Sequence, residues 1–278
     1  MMLLKVAVCV SILLLTFLLA KNLENRVSCE SHRCVSRDLE QRIPKVIWRI
    51  WLSDSGSDDN PFRNAWEYTS RHNPEYTQVL LKNGDVERYM KERWRGPVCD
   101  AFQSICPSQM AARSDLVRYC LLYDVGGVYL DCKSSMRSLC TVVLPHDGML
   151  VTTWPTIIPG PNAMRLNRVS GEYLQWWIAC APGNPLMLRV IERVVNELGA
   201  LVPNTPSGGK LGILKATGPI AFTSAIRDSV GDPRLMDMRV LCVNASGILK
   251  YDHAGGYRRF GKRYDDTQKP LVCPDIEG

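Results

Sequence analysis

Between Ser114 and Lys133 the chain sets a few polar side chains at spacings that a folded backbone can bring together. Asp115 and Arg118 are three residues apart, so on a helix their side chains are neighbours. Asp131 closes the apolar run Val128-Tyr129-Leu130, and Lys133 follows two residues later. A carboxylate there can orient hydroxyl groups, and cations beside it can neutralise phosphate. Ligand sites in open α/β sheets lie beyond the carboxyl ends of the strands, so the arrangement suits a nucleotide-linked substrate. The bland alternative is a surface Asp–Arg pair followed by a polar turn.

The elements that must position these groups can be read from spacing. Met110, Val117, Cys120 and Leu121 predict one buried face of an amphipathic helix, with Asp115 and Arg118 on an adjoining face. Gly126-Gly127 stops that helix, because glycine accepts the positive φ angles of a tight turn. Lys45–Trp51, Thr77–Leu81, Met149–Thr152 and Arg239–Val243 read as further strands. Asp85–Trp94 reads as a helix, and Asn184 caps another that has Pro185 at its first position and Leu188, Ile191, Val195 and Leu198 inside. Phe222, Ile226 and Val230 mark a third after Thr217-Gly218-Pro219, and Val202 to Gly209 reads as a loop. Alternating strands and helices predict an α/β domain.

The central block resembles the DxD-containing sugar transferases, glycosyltransferase family 32, the family of the initiating α-1,6-mannosyltransferases. The family pattern runs S-D-x-x-R and then Y-G-G-[IV]-Y-L-D-x-D. Here it reads Ser114-Asp115-Leu116-Val117-Arg118, then Asp124-Val125-Gly126-Gly127-Val128-Tyr129-Leu130-Asp131-Cys132-Lys133. Ile43 to Trp51 is similar to the family opening I-P-K-x-I-H-Q-x-W, Gly183-Asn184-Pro185 to its G-[HN]-P turn, and Thr217-Gly218-Pro219 to its T-G-P. Asp252 to Tyr257 resembles its late H-x-x-[GS]-[SG]-W segment. The resemblance implies a single GT-A-type nucleotide-sugar-binding domain with a central mixed, mostly parallel sheet. It also implies transfer of a hexose from a nucleotide diphosphate sugar to a glycan or glycolipid hydroxyl, with retention of configuration.

Carried over by motif position, Ser114, Asp115, Arg118, Gly126, Gly127, Tyr129 and Asp131 would form the donor site, and Arg118, Asp131 and Lys133 would act in catalysis. Asp131 and His253 would be the metal ligands, and Trp154 and Trp177 are candidates for an acceptor groove, with core packing as the alternative for Trp177. Trp48 and Arg49 replace the His-Gln of the family opening, where contact with the nucleotide base is the open question. The resemblance implies Mn²⁺, but Lys133 stands at the second carboxylate, and a protonated lysine cannot coordinate a hard cation. Either its ammonium takes over part of the metal's task, or metal binds through Asp131, the diphosphate and His253, or activity is lost. A catalytically inactive nucleotide-sugar-binding or scaffold protein is therefore the competing reading.

Composition sets the context. The 278 residues, 46% hydrophobic, fit one large domain over 43–278. Val6 to Ala20 is nearly unbroken apolar sequence, read as a signal-anchor segment over 1–20 with a charged stem over 21–42. This predicts a single-pass type II protein of the Golgi or ER membrane with a lumenal catalytic domain, secreted if the segment is cleaved. Cysteine usage agrees: of eleven, Cys29/Cys34 and Cys99/Cys106 are close enough to suggest local disulfides. No C-x-x-C pair points to zinc. Asn244-Ala245-Ser246 is a glycosylation sequon. A net charge of +6 is modest, and nucleic acid is not an expected partner.

Overall fold

A computed structural model describes residues 41–53, 62–153, 172–207, 209–235, 237–242, 249–251 and 269–273, all within one compact unit, Leu39–Gly278. The anchor and nearly all of the stem, Cys29, Cys34, Trp154, Asn244, His253 and residues 254–268 lie outside the described residues. No helix among the described residues is long and apolar enough to cross a membrane.

A six-stranded sheet forms the centre, in the order β2-β1-β3-β6-β5-β7. Its strands are β1 (Val46–Ile50), β2 (Thr77–Leu81), β3 (Gly127–Leu130), β5 (Met149–Thr153), β6 (Tyr173–Cys180) and β7 (Arg239–Cys242). β1 pairs in parallel with β2 and with β3, and β5 with β7, while β6 runs antiparallel to both β3 and β5. The sheet is therefore mixed and mostly parallel, as expected. The chain steps from β1 to one side for β2 and to the other for β3, which makes the carboxyl ends of β1 and β3 the switch point at which open α/β sheets form their ligand crevice. A second, two-stranded sheet joins β4 (Ser134–Met136) to β8 (Leu249–Tyr251), directly after the Asp131–Lys133 turn.

Eight helices are described: α1 (Arg63–His72), α2 (Asn83–Arg93), α3 (Pro97–Ser104), α4 (Met110–Asp124), α5 (Leu139–Val142), α6 (Pro185–Gly199), α7 (Gly209–Ala216) and α8 (Pro219–Asp228). Local chemistry explains several of their ends. Asn184 Oδ1 accepts from the Leu186 and Met187 amides at 3.0 and 3.2 Å, and Pro185 needs no such partner. Asp85 Oδ2 accepts from the Lys82 amide at 3.1 Å at the start of α2. The helix predicted from Phe222, Ile226 and Val230 ends at Asp228, leaving Val230 exposed, and α7 begins at Gly209, the last residue of the predicted loop.

One core cluster lies under α4, α6 and α8 and includes Tyr129, Ile178 and Cys180. The other, on the opposite face, includes Ile47, Val128, Leu130, Trp177 and Ala179. Helix α4 departs from expectation: it is buried on nearly every side, Arg113, Ser114, Asp115 and Arg118 included. The amphipathic reading fails because the predicted polar face meets other polar groups of the chain instead of water. The expected local bridge Cys99/Cys106 is also corrected. Cys106 pairs with Cys273, 167 residues away, and Cys99 is free. That bridge fastens residues 269–273 to the end of α3 and the turn after it, where Cys106 N donates to Leu271 O and Cys273 N to Ser104 O, both at 3.0 Å.

Candidate active site

The Gly-Gly turn lets α4 return directly into β3. Gly126 and Gly127 have φ of 72° and 107°, and the Trp48 indole N–H donates to Gly126 O at 2.7 Å. A Cβ on Gly127 would stand 2.5 Å from Val46 Cγ1, so the turn packs directly on β1. Trp48 thus serves the turn.

β3 then delivers Asp131 to the crevice. Its amide donates to Trp176 O of β6 at 3.0 Å. Residues i and i+2 of an extended chain share a face, so Tyr129 and Asp131 point the same way, and the Tyr129 hydroxyl donates to Asp131 Oδ1 at 2.8 Å. From α4, Arg118 Nη1 reaches the same oxygen at 3.4 Å while Nη2 lies 2.8 Å from Asp115 Oδ1. Arg118 Nε donates to Ser114 O at 3.2 Å and Nη1 to Gln175 O at 3.1 Å, and the guanidinium lies over the Tyr129 ring. Asp115 is completed by Gln175 Nε2 at 3.1 Å and Thr217 Oγ1 at 3.0 Å. The Tyr119 hydroxyl lies against Gln175 Oε1 and Thr217 O.

Ser114, Asp115, Arg118, Tyr129 and Asp131 are thus brought into one network, but at different depths. The side chains of Arg118 and Asp115 are 7% and 5% exposed, whereas Asp131 is 23% exposed and Lys133 half-buried. Burial raises the Asp115 carboxyl above its ordinary value, against the pull of Arg118 and of its Thr217 and Gln175 donors. Burial also works against the charge on Arg118, and the surrounding Tyr129, Asp115 and Asp131 outweigh it, so Arg118 stays a cation. Here every Arg118 nitrogen is engaged within the protein, and its guanidinium braces Asp131. Cys132, beside the motif, is inert: burial pushes its thiol up to about 12, and its sulfur lies 3.3 Å from Ile50 O.

Several placements differ from the sequence reading. Trp177 is fully buried in the second core cluster with its indole N–H on Met136 Sδ, so it presents no face to an acceptor. Arg49 is 1% exposed and turned into the protein, which removes it from any nucleotide base. Thr217 and Gln175 join the site without having been singled out for it. The T-G-P resemblance was the signal for Thr217, and Gln175 carried none.

A divalent cation needs several oxygen donors. At the end of β3, Asp131 is the one carboxylate the motif supplies, its Oδ1 already serves Tyr129 and Arg118, and residue 133 is a lysine. Among the described residues no group of three His, Cys, Asp or Glu could hold a metal. The described residues thus supply one carboxylate at the end of β3, and His253, the other expected metal ligand, lies outside them.

The chain is similar to known proteins in sequence and in fold. Residues 59–145 match the family described as glycosyltransferase sugar-binding region containing DXD motif. The chain is 22% identical over 204 residues to the initiation-specific alpha-1,6-mannosyltransferase of Schizosaccharomyces pombe (strain 972 / ATCC 24843), covering 67% of this chain and 48% of that protein. It spans about half the length of that relative. Among solved structures, the PaToxG glycosyltransferase is similar with a TM-score of 0.50 and 17% identity, over 68% of this chain and 70% of that one. The UDP-bound glycosyltransferase domain from the YGT toxin gives 0.47 and 10%, over 72% and 79%.

Proposed function

We propose that this chain, a glycosyltransferase of the DXD-containing family, moves a hexose from a nucleotide diphosphate sugar to a hydroxyl of a glycan or glycolipid. The observation that carries the reading is Asp131, delivered by β3 to the crevice at the carboxyl ends of β1 and β3 and braced there by Arg118 and Tyr129. Asp131 Oδ1 is occupied, which leaves Oδ2 to accept from a donor hydroxyl. Lys133, two residues on, supplies a cation to the leaving diphosphate as the glycosyl–phosphate bond breaks. Asp115 and Arg118 stand behind Asp131 and fix its orientation. The acceptor hydroxyl attacks from the face the diphosphate leaves, so configuration is retained. The long-range disulfide Cys106–Cys273 supports an oxidising, lumenal address for a membrane-anchored enzyme.

Donor hydrolysis across UDP- and GDP-sugars, each with Mn²⁺ and with a chelator, tests the reading. Release of nucleotide from one sugar, persisting under chelator, is the expected result. Lys133→Asp is expected to lower that release and to make what remains depend on Mn²⁺. Nucleotide binding without turnover, with any acceptor supplied, would favour the inactive nucleotide-sugar-binding protein, and no binding at all would remove the donor site.

A further inference from the structure

We propose that Arg49 is the positioning residue of the Asp131–Lys133 turn; this rests on the transferase reading of that turn. Arg49 leaves β1 on the face opposite Arg118, and its Nη1 donates to three carbonyls of the motif, Asp131 O at 2.9 Å, Cys132 O at 3.2 Å and Ser134 O at 2.9 Å. Three carbonyl dipoles converging on one point repel each other, and a cation at that point is what permits the turn. The turn is closed by Ser134 N donating to Asp131 O at 2.8 Å.

The guanidinium is itself held on its other sides. Nε donates to Gln78 Oε1 and Nη2 to Thr69 Oγ1, both at 3.1 Å. Thr69 also accepts from the Met136 amide, so the same fixture holds β4 as the chain leaves the motif. A planar fork of five N–H donors is needed to serve β2, α1 and the turn at once.

Its contacts separate Arg49 from the other buried arginines. Arg113 pairs with Glu87, and Arg118 with Asp115. Among the described residues, the five hydrogen-bond acceptors of Arg49 are all neutral oxygens. Its charge is directed at the motif backbone. Arg118 therefore fixes the carboxylate of Asp131 from one face of the sheet while Arg49 fixes its main chain from the other.

The test compares Arg49→Gln and Arg49→Lys with the parent in the intact protein, by hydrogen exchange of residues 131–136 and by donor hydrolysis. Arg49→Gln is expected to speed exchange in that segment about tenfold relative to β5 and β6. It should lower kcat about 10–100-fold with a much smaller change in donor KM, because a displaced turn misplaces Asp131 and Lys133. Arg49→Lys keeps the charge and is expected to recover part of kcat. Unchanged exchange in 131–136, or an unchanged kcat in folded protein, overturns the proposal. If Arg49→Gln does not fold, Gln78→Leu removes the Nε anchor together with the bonds of Gln78 to Trp66 O and Ser70 Oγ of α1, and should shift both readouts the same way; no shift overturns it. A parent that hydrolyses no donor defeats the transferase reading, while the exchange result still decides whether Arg49 holds the turn.

Discussion

Replacing Thr217 with valine removes one hydroxyl and keeps the branched shape of a fully buried side chain. The hydroxyl donates to Asp115 Oδ2 at 3.0 Å. Hydrogen bonds to charged groups contribute about 1.5–3 kcal/mol. Asp115 keeps Arg118 and Gln175 on its other oxygen, so it is not orphaned and a loss of about 2 kcal/mol follows. In a domain of this size that lowers Tm by about 4–8 °C. The same substitution should weaken donor turnover, because Asp115 fixes Arg118 and Arg118 fixes Asp131. Thermal unfolding by circular dichroism and donor hydrolysis on one preparation read both effects. Thr223→Val, also on a buried threonine but outside this network, controls for the substitution itself. If Thr217→Val lost as little turnover as that control, the chain of contacts from Thr217 to Asp131 would carry no function.

Three further perturbations test the scaffold. Gly127→Ala should cost about 3 kcal/mol or more in urea unfolding, since φ is 107° and the new Cβ would overlap β1. Gly84→Ala, in open space within α2, should instead be neutral or stabilising by about 0.5–1 kcal/mol. Removing the bridge with Cys106→Ser and Cys273→Ser should cost about 2–5 kcal/mol, because it closes 167 residues of chain. Hydrogen exchange should then quicken first at residues 269–273, and an unchanged unfolding midpoint would show that the backbone bonds of that segment suffice without it.

What could be read in the sequence is what local chemistry decides. β3 is bounded by two glycines and an aspartate and appears where expected, and α6 starts at Asn184-Pro185 because the cap and the missing N–H act within one turn. β6 has both faces buried after Gln175, so its sequence lacks the alternation that marks a half-buried strand. α1 is polar with one buried residue, Thr69, and its value lies in the contact with Arg49, 20 residues away. The pairing of Cys106 with Cys273 leaves no local trace at all.

The inversion of α4 is the deepest of these differences, and it follows from the same cause. Spacing tells which side chains share a face of a helix; it does not tell what that face meets. Asp115 and Arg118 are neighbours as predicted, yet the face is closed by Gln175 and Thr217, 60 and 102 residues further along the chain. With those groups in place a buried carboxylate and guanidinium are fully hydrogen-bonded, and the polar face can enter the core. Without them it would have to meet water. The flanking T-G-P therefore matters to the centre of the site because it supplies the hydroxyl that lets Asp115 be buried. Asp131, at the open edge of the same network, stays more exposed than either Asp115 or Arg118.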